Sequence, residues 1–81
     1  MTIRHLKIFI AVAEAGTMSA AAEKCFLSQP TVSQAIRELE AHYGVLLFDR
    51  LSKKLYITEA GKNLLAYAHR TVSQFQLLET S

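Results

Sequence analysis

Ser28-Gln29-Pro30-Thr31-Val32-Ser33-Gln34-Ala35-Ile36-Arg37-Glu38-Leu39-Glu40-Ala41-His42-Tyr43-Gly44 reads as one helix with both ends marked. Ser28 suits the N-cap, where a hydroxyl accepts from an early backbone N–H. Pro30 falls in the first turn, where a missing N–H costs nothing. Gly44 suits the left-handed residue that ends a helix. Val32, Ile36, Leu39 and Tyr43 repeat at spacings of four, three and four and predict one apolar stripe. On the other side Gln29, Ser33 and Arg37 stack at i, i+4, flanked by Thr31 and Gln34, and the acids Glu38 and Glu40 come only later. A helix that enters a DNA groove needs such a surface: amides and hydroxyls pair with base edges, whereas carboxylates would meet phosphates. The same pattern also fits a solvated face on an ordinary amphipathic helix.

The flanks sharpen the reading. Thr2 to Ala15 predicts a first helix, capped by Thr2 and ended by Gly16, with Ile3, Leu6, Phe9, Ile10 and Ala13 as its core face. Arg4 and Lys7 lie off that stripe and read first as solvated charges, with non-specific phosphate contact open to a helix that crosses a DNA backbone. Gly16-Thr17-Met18-Ser19 predicts a turn, with Ser19 as N-cap of a short helix from Ala20 to about Phe26. Its run of alanines lets another helix pass close by. Cys25-Phe26-Leu27 predicts an apolar turn before Ser28. A short small-residue helix, a tight turn and a capped, polar-faced helix form a helix-turn-helix in sequence order.

After Gly44, Val45-Leu46-Leu47-Phe48 predicts an apolar segment packed under the helices. Leu55-Tyr56-Ile57-Thr58 alternates, and the two stretches together predict a two-stranded hairpin. Arg50, Lys53 and Lys54 make it basic, as a wing that meets phosphates or the minor groove requires. An edge hairpin whose lysines block aggregation is the plainer alternative. Thr58 then caps a long last helix to about Glu79. Leu64, Ala68, Thr71, Phe75 and Leu78 follow the alternating four-three spacing of a coiled-coil seam, so this segment is expected to dimerise.

Composition sets the bounds. The chain has 81 residues, 51% of them hydrophobic and 20% charged, which fits one small folded domain. A net charge of +2 is compatible with nucleic acid without requiring it. One cysteine excludes an internal disulfide and suits a reducing compartment. No apolar run has membrane-span length and no signal-peptide pattern opens the chain, so a cytoplasmic location is expected. His5, His42 and His69 lack ligand spacing, Cys25 has no nearby cysteine, and there is no phosphate loop. No nucleophile–base pair is available, so neither catalysis nor a metal site is expected. The remaining rival is a helical interaction or oligomerisation module without DNA binding. Such a module has no need of both an acid-free polar face and a basic hairpin.

The core Ser28-Gln29-Pro30…Ser33…Ile36…Leu39-Glu40, followed by Leu47-Phe48-Asp49-Arg50 and Thr58-Glu59-Ala60-Gly61, resembles the DNA-binding region of LysR-type transcriptional regulators. The resemblance covers nearly the whole chain, and its motif proper runs from Met18 to Arg37. It implies a mainly α, winged helix-turn-helix domain over residues 1–58, with a two-stranded β wing, and a long linker and dimerisation helix over 59–81. It further implies that base and backbone contacts fall on Gln29, Pro30, Thr31, Ser33, Gln34, Arg37, Arg50 and Lys53. The family context implies double-stranded DNA and a second copy as partners, tetramers of full-length chains, and no cofactor in this domain. A small-molecule effector would belong to a C-terminal domain that this chain does not carry. Many relatives have arginine where this chain has Gln34, and a glycine that Leu51 to Lys54 lacks.

Overall fold

A computed structural model describes residues 1–51 and 54–80. The elements are α1 (Ile3–Ala15), α2 (Met18–Cys25), α3 (Gln29–Tyr43), β1 (Phe48–Leu51), β2 (Lys54–Ile57) and α4 (Glu59–Thr80). Helix α1 is the hub, with α2, α3 and α4 all packed on it. That explains why its buried set exceeds one stripe. Ile8, Ala11 and Val12 are buried with Leu6 and Phe9, while Ile3, Ile10 and Ala13 are half-buried at the margins. A helix packed on three sides buries more than one stripe and keeps only a narrow polar strip, here Arg4, Lys7 and Glu14.

The caps follow local chemistry. Thr2 and His5 form a reciprocal capping box on α1: the His5 N–H donates to Thr2 Oγ1 at 3.4 Å, and the Thr2 N–H donates to His5 Nδ1 at 3.2 Å. Gly16 (φ 82°) and Gly44 (φ 68°) end α1 and α3 in the left-handed conformation that their lack of a Cβ permits. Ser28 Oγ caps α3 by accepting from the Thr31 N–H at 3.3 Å. The cap of α2 differs from the expectation. Thr17, not Ser19, accepts from the Ala20 N–H at 3.1 Å, so α2 begins at Met18 and ends at Cys25. Burial of Met18 against the core pulls the chain into the helix two residues early. Between α1 and α2, Lys24 Nζ lies 2.9 Å from Glu14 Oε1 and holds that carboxyl below the usual carboxylate range.

The helix-turn-helix turn is only partly apolar in its packing. Cys25 and Leu27 lean on the core, but Phe26 is 95% exposed and left-handed (φ 57°). The segment after Gly44 divides in the same way. Leu47 and Phe48 are buried, and Phe48 sits 5.6 Å from Phe9 between ring centroids, but Val45 and Leu46 remain exposed. Tyr43, at the end of the α3 stripe, is also exposed, and its hydroxyl donates to Met1 Sδ. By then α3 has run past the body it packs on.

The wing pairs antiparallel in the register Phe48↔Ile57, Asp49↔Tyr56, Arg50↔Leu55 and Leu51↔Lys54. Two attachments fix it to the helices. The Leu55 N–H reaches the Gly16 carbonyl at 3.4 Å. The Leu47 peptide is clasped on both sides: its N–H donates to Glu40 Oε2 at 2.8 Å, and its carbonyl accepts from the Thr58 N–H at 3.0 Å. Thr58 Oγ1 also donates to the Leu46 carbonyl at 2.6 Å and accepts from the Gly61 N–H at 3.0 Å, capping α4.

Gly61 lies directly against this clasp. A Cβ there would overlap the Leu47 carbonyl oxygen and fall 2.6 Å from Ile57 Cγ1. Helix propensity alone favours alanine by about 1 kcal/mol. Overpacking against backbone costs about 1–3 kcal/mol, and here the carbonyl cannot shift without loosening its bond to Thr58. Gly61→Ala is therefore expected to lower stability by about 1 kcal/mol net in urea denaturation. An increase would show that the clasp yields freely.

Candidate nucleic-acid interface

The polar side of α3 lies open. Gln29, Pro30, Thr31, Gln34 and Arg37 are exposed, and Ser33 is half-buried between them. The fold presents these side chains because Val32, Ala35, Ile36 and Leu39 hold the opposite side of α3 in the core. No carboxylate stands among them. Glu38, the first acid along α3, is turned toward α1, with Oε2 3.5 Å from His5 Nε2.

Two side chains of the face are already held by donors. Arg37 Nη2 donates to Gln34 Oε1 at 3.0 Å, and Ser19 Oγ donates to Gln29 Oε1 at 3.0 Å. Both bonds leave the amide nitrogens to be offered as donors. Beside them a groove of about 350 Å³ runs between α1 and α3, lined by Arg4, His5, Pro30, Thr31 and Gln34, with the Glu38 carboxylate at its far end. Helix packing thus brings Arg4 next to the exposed face, where the non-specific phosphate contact left open by the sequence is within the geometry. Its one sequence signal is that it lies off the core stripe near the start of the chain. The part Ser19 plays in this face is also hidden in the sequence, because a serine before an alanine run reads first as a cap.

On the wing, Lys54 shares the outer face with Asp49 and Tyr56, whereas Arg50, paired with Leu55, is exposed on the opposite face, the one that carries Phe48 and Ile57. Lys53 lies outside the described residues. Helix α4 is amphipathic in a way its spacing did not resolve. Ala68 is 1% exposed and Val72 is buried, both facing the core along α1. Ala68 is therefore covered by the chain's own fold and does not belong to an outward seam. Phe75 is half-buried, with Lys7 Nζ 5.9 Å from its ring centroid. Leu64 is half-buried, whereas Thr71 and Leu78 are exposed. Tyr67 is 63% and Leu78 72% exposed. Ala60, Leu64, Tyr67, Thr71, Gln74 and Leu78 recur at alternating four-three spacing along a stripe beside the buried one. Near the start of α4 this stripe meets Tyr43 and Val45 in a second apolar groove of about 320 Å³. Among the described residues there is no cluster of three or more potential metal ligands, and no helix is long and apolar enough to cross a membrane.

Three helices around a hub, a short helix and turn leading into an exposed polar-faced helix, and a two-stranded hairpin behind it define a winged helix-turn-helix. Likeness to known proteins places it more narrowly. Residues 3–62 match the bacterial regulatory helix-turn-helix proteins of the lysR family, and the chain belongs to that family. It is 48% identical over 73 residues to an uncharacterized HTH-type transcriptional regulator of Azotobacter vinelandii, covering 90% of this chain and 51% of that protein. It is 42% identical over 64 residues to the HTH-type transcriptional activator CmpR of a Synechocystis strain, covering 79% of this chain and 21% of the activator. The chain thus spans about half or less of the length of these relatives. Among solved structures, the DNA-binding domain of CbnR in complex with DNA superposes with a TM-score of 0.94 at 40% identity, covering 99% of this chain and 92% of that one. The BenM DNA-binding domain bound to its benA site 1 DNA superposes at 0.93 with 32% identity, covering 99% and 93%.

Proposed function

We propose that this chain is the sequence-reading domain of a transcription regulator and docks the N-terminal half of α3 in the major groove of duplex DNA. The observation that carries the reading is the exposed polar face of Gln29, Thr31, Gln34 and Arg37, which holds no acid before Glu38. Solved relatives of the same fold are seen with DNA. In this docking Gln29, Pro30, Thr31, Ser33 and Gln34 meet base edges or the groove wall, because the start of the second helix is the part of such motifs that enters deepest. Arg37 and Arg4 reach phosphates on either side. Arg50, Lys53 and Lys54 follow the backbone or the adjacent minor groove.

The second part of the proposal is pairing. Two copies meet through the outer stripe of α4, with Leu64, Thr71 and Leu78 from the seam read in the sequence and Tyr67 in place of Ala68. Pairing sets two α3 helices at a fixed separation and directs the dimer to a two-fold symmetric site. The setting is the bacterial cytoplasm, where the cognate DNA lies. Effector binding and assembly beyond the dimer belong to sequence outside this chain.

Fluorescence anisotropy of labelled duplexes across a salt series tests the DNA reading. Affinity is expected to fall linearly with log salt, as counterion release requires. Replacing Lys53 and Lys54 together by alanine is expected to weaken all sequences alike and to flatten that slope by roughly one unit for each phosphate that the wing no longer neutralises. A slope that stays the same would place the wing off the DNA. No salt-dependent binding at all by the parent would leave the interaction-module reading.

A further inference from the structure

We propose that Ser19 is a positioning residue for sequence reading: its hydroxyl holds one end of the Gln29 carboxamide so that the other end leads into the groove. The proposal rests on the DNA-reading role proposed for α3 and deepens it. Three observations combine. Thr17 supplies the cap of α2, so the Ser19 hydroxyl is released from capping. Ser19 Oγ donates to Gln29 Oε1 at 3.0 Å across the turn, joining the first turn of α2 to the first residue of α3. Both side chains are exposed, so the packed core does not immobilise the amide.

A free glutamine has two chemically opposite ends on a nearly symmetric group. Oxygen forward, it seeks a donor on the base edge; nitrogen forward, it seeks an acceptor. A glutamine that samples both orientations discriminates poorly and loses more rotamer freedom on binding. Bonded to Ser19 the amide keeps one place and offers one end; with Oε1 on Ser19, Nε2 faces outward toward N7 or O6 of a purine or O4 of thymine. The same arrangement occurs one turn along, where Arg37 holds Gln34 Oε1. There the donor is a neighbour on the same helix. Ser19 acts from another helix, so the bond also depends on the α2–α3 register.

The test uses the 81-residue chain with Ser19→Ala, Ser19→Thr, Gln29→Ala and the Ser19→Ala/Gln29→Ala double variant. Selection from random duplexes finds the parent's preferred site. Anisotropy titrations then rank the four base pairs at the position where Gln29→Ala loses its preference. Ser19→Ala is expected to lower discrimination at that position by roughly 2- to 12-fold, the size of one neutral hydrogen bond. It should have no further effect once Gln29 is alanine, and Ser19→Thr, which keeps the hydroxyl, should restore the parent's ranking. A uniform loss across all sequences, or a Ser19→Ala effect that persists without the Gln29 amide, overturns the proposal, because the hydroxyl would then act on DNA or on folding directly. If Gln29→Ala changes the preference and Ser19→Ala does not, the positioning role alone falls. A parent with no preferred site overturns the reading role of α3 and this proposal with it.

Discussion

Tyr67→Asp combined with Leu78→Asp is expected to turn the chain into a folded monomer in sedimentation velocity. These two residues are the large apolar groups most exposed on the outer stripe of α4, and neither lies in the core. Fully burying each contributes about 1.5–3 kcal/mol relative to exposure, and a two-fold interface counts every such burial twice. Two buried carboxylates per copy would reverse that gain, because an unpaired charge in an apolar interface carries a large desolvation cost. Leu64 and Phe75, which the seam spacing also nominates, are poorer choices. Both are half-buried in their own chain, so changing them would mix folding with pairing. The melting temperature of a diluted parent is the control for folding. On DNA the monomer should keep its affinity for a half-site and lose roughly 10²- to 10⁴-fold on the full site, since the second reading helix no longer arrives at high effective concentration. A variant that stays dimeric, or a monomer as tight on the full site as the parent, would move the interface elsewhere on the surface.

The second large effect is at the leading residue of α3. Gln29→Ala is expected to cost about 1–3 kcal/mol on the preferred site, the usual loss for one good base contact, and much less on random duplex. The spacing by itself suggests a two-point contact with adenine, in which the amide both accepts and donates. With Oε1 on Ser19 only one end of the amide is offered, the donor Nε2, and the base pair that suffers is then one that presents an acceptor. Competition titrations against duplexes varied at one position measure this. Equal losses on specific and random DNA would remove Gln29 from the reading set.

The two variants act on different quantities. Removing the pairing stripe lowers affinity for a site of two halves and leaves each half's sequence preference alone. Removing Gln29 lowers the preference and leaves the oligomer alone. Measured together in one series, they should be independent on a half-site, whereas on the full site the Gln29 loss is counted twice in the dimer and once in the monomer.

Much of this protein is legible in the chain because its signals are local. Thr2, Gly16, Ser28, Pro30, Gly44 and Thr58 mark element ends through bonds and backbone angles that reach only a few residues, and each marks the end it was expected to mark. The alternation of Leu55 and Ile57 with Tyr56 settles which side of β2 faces the helices, since successive side chains of a strand point to opposite faces. The acid-free first half of the outer side of α3 follows from its period once the apolar stripe is known.

The tertiary structure decided whatever depends on what else is packed nearby. Thr17 displaced Ser19 as a cap because burying Met18 outweighs the small difference between two hydroxyl caps. Ala68 went inward because α1 claims that side of α4, and a four-three spacing cannot say which of two adjacent stripes meets the chain's own core. Arg4 joined the exposed face only through the α1–α3 packing. The bond from Ser19 to Gln29 spans two helices and a turn, so no periodicity within either helix contains it. Local chemistry thus determined the elements and the polar face of α3, while packing between elements decided which side chains stand on it and which way they point.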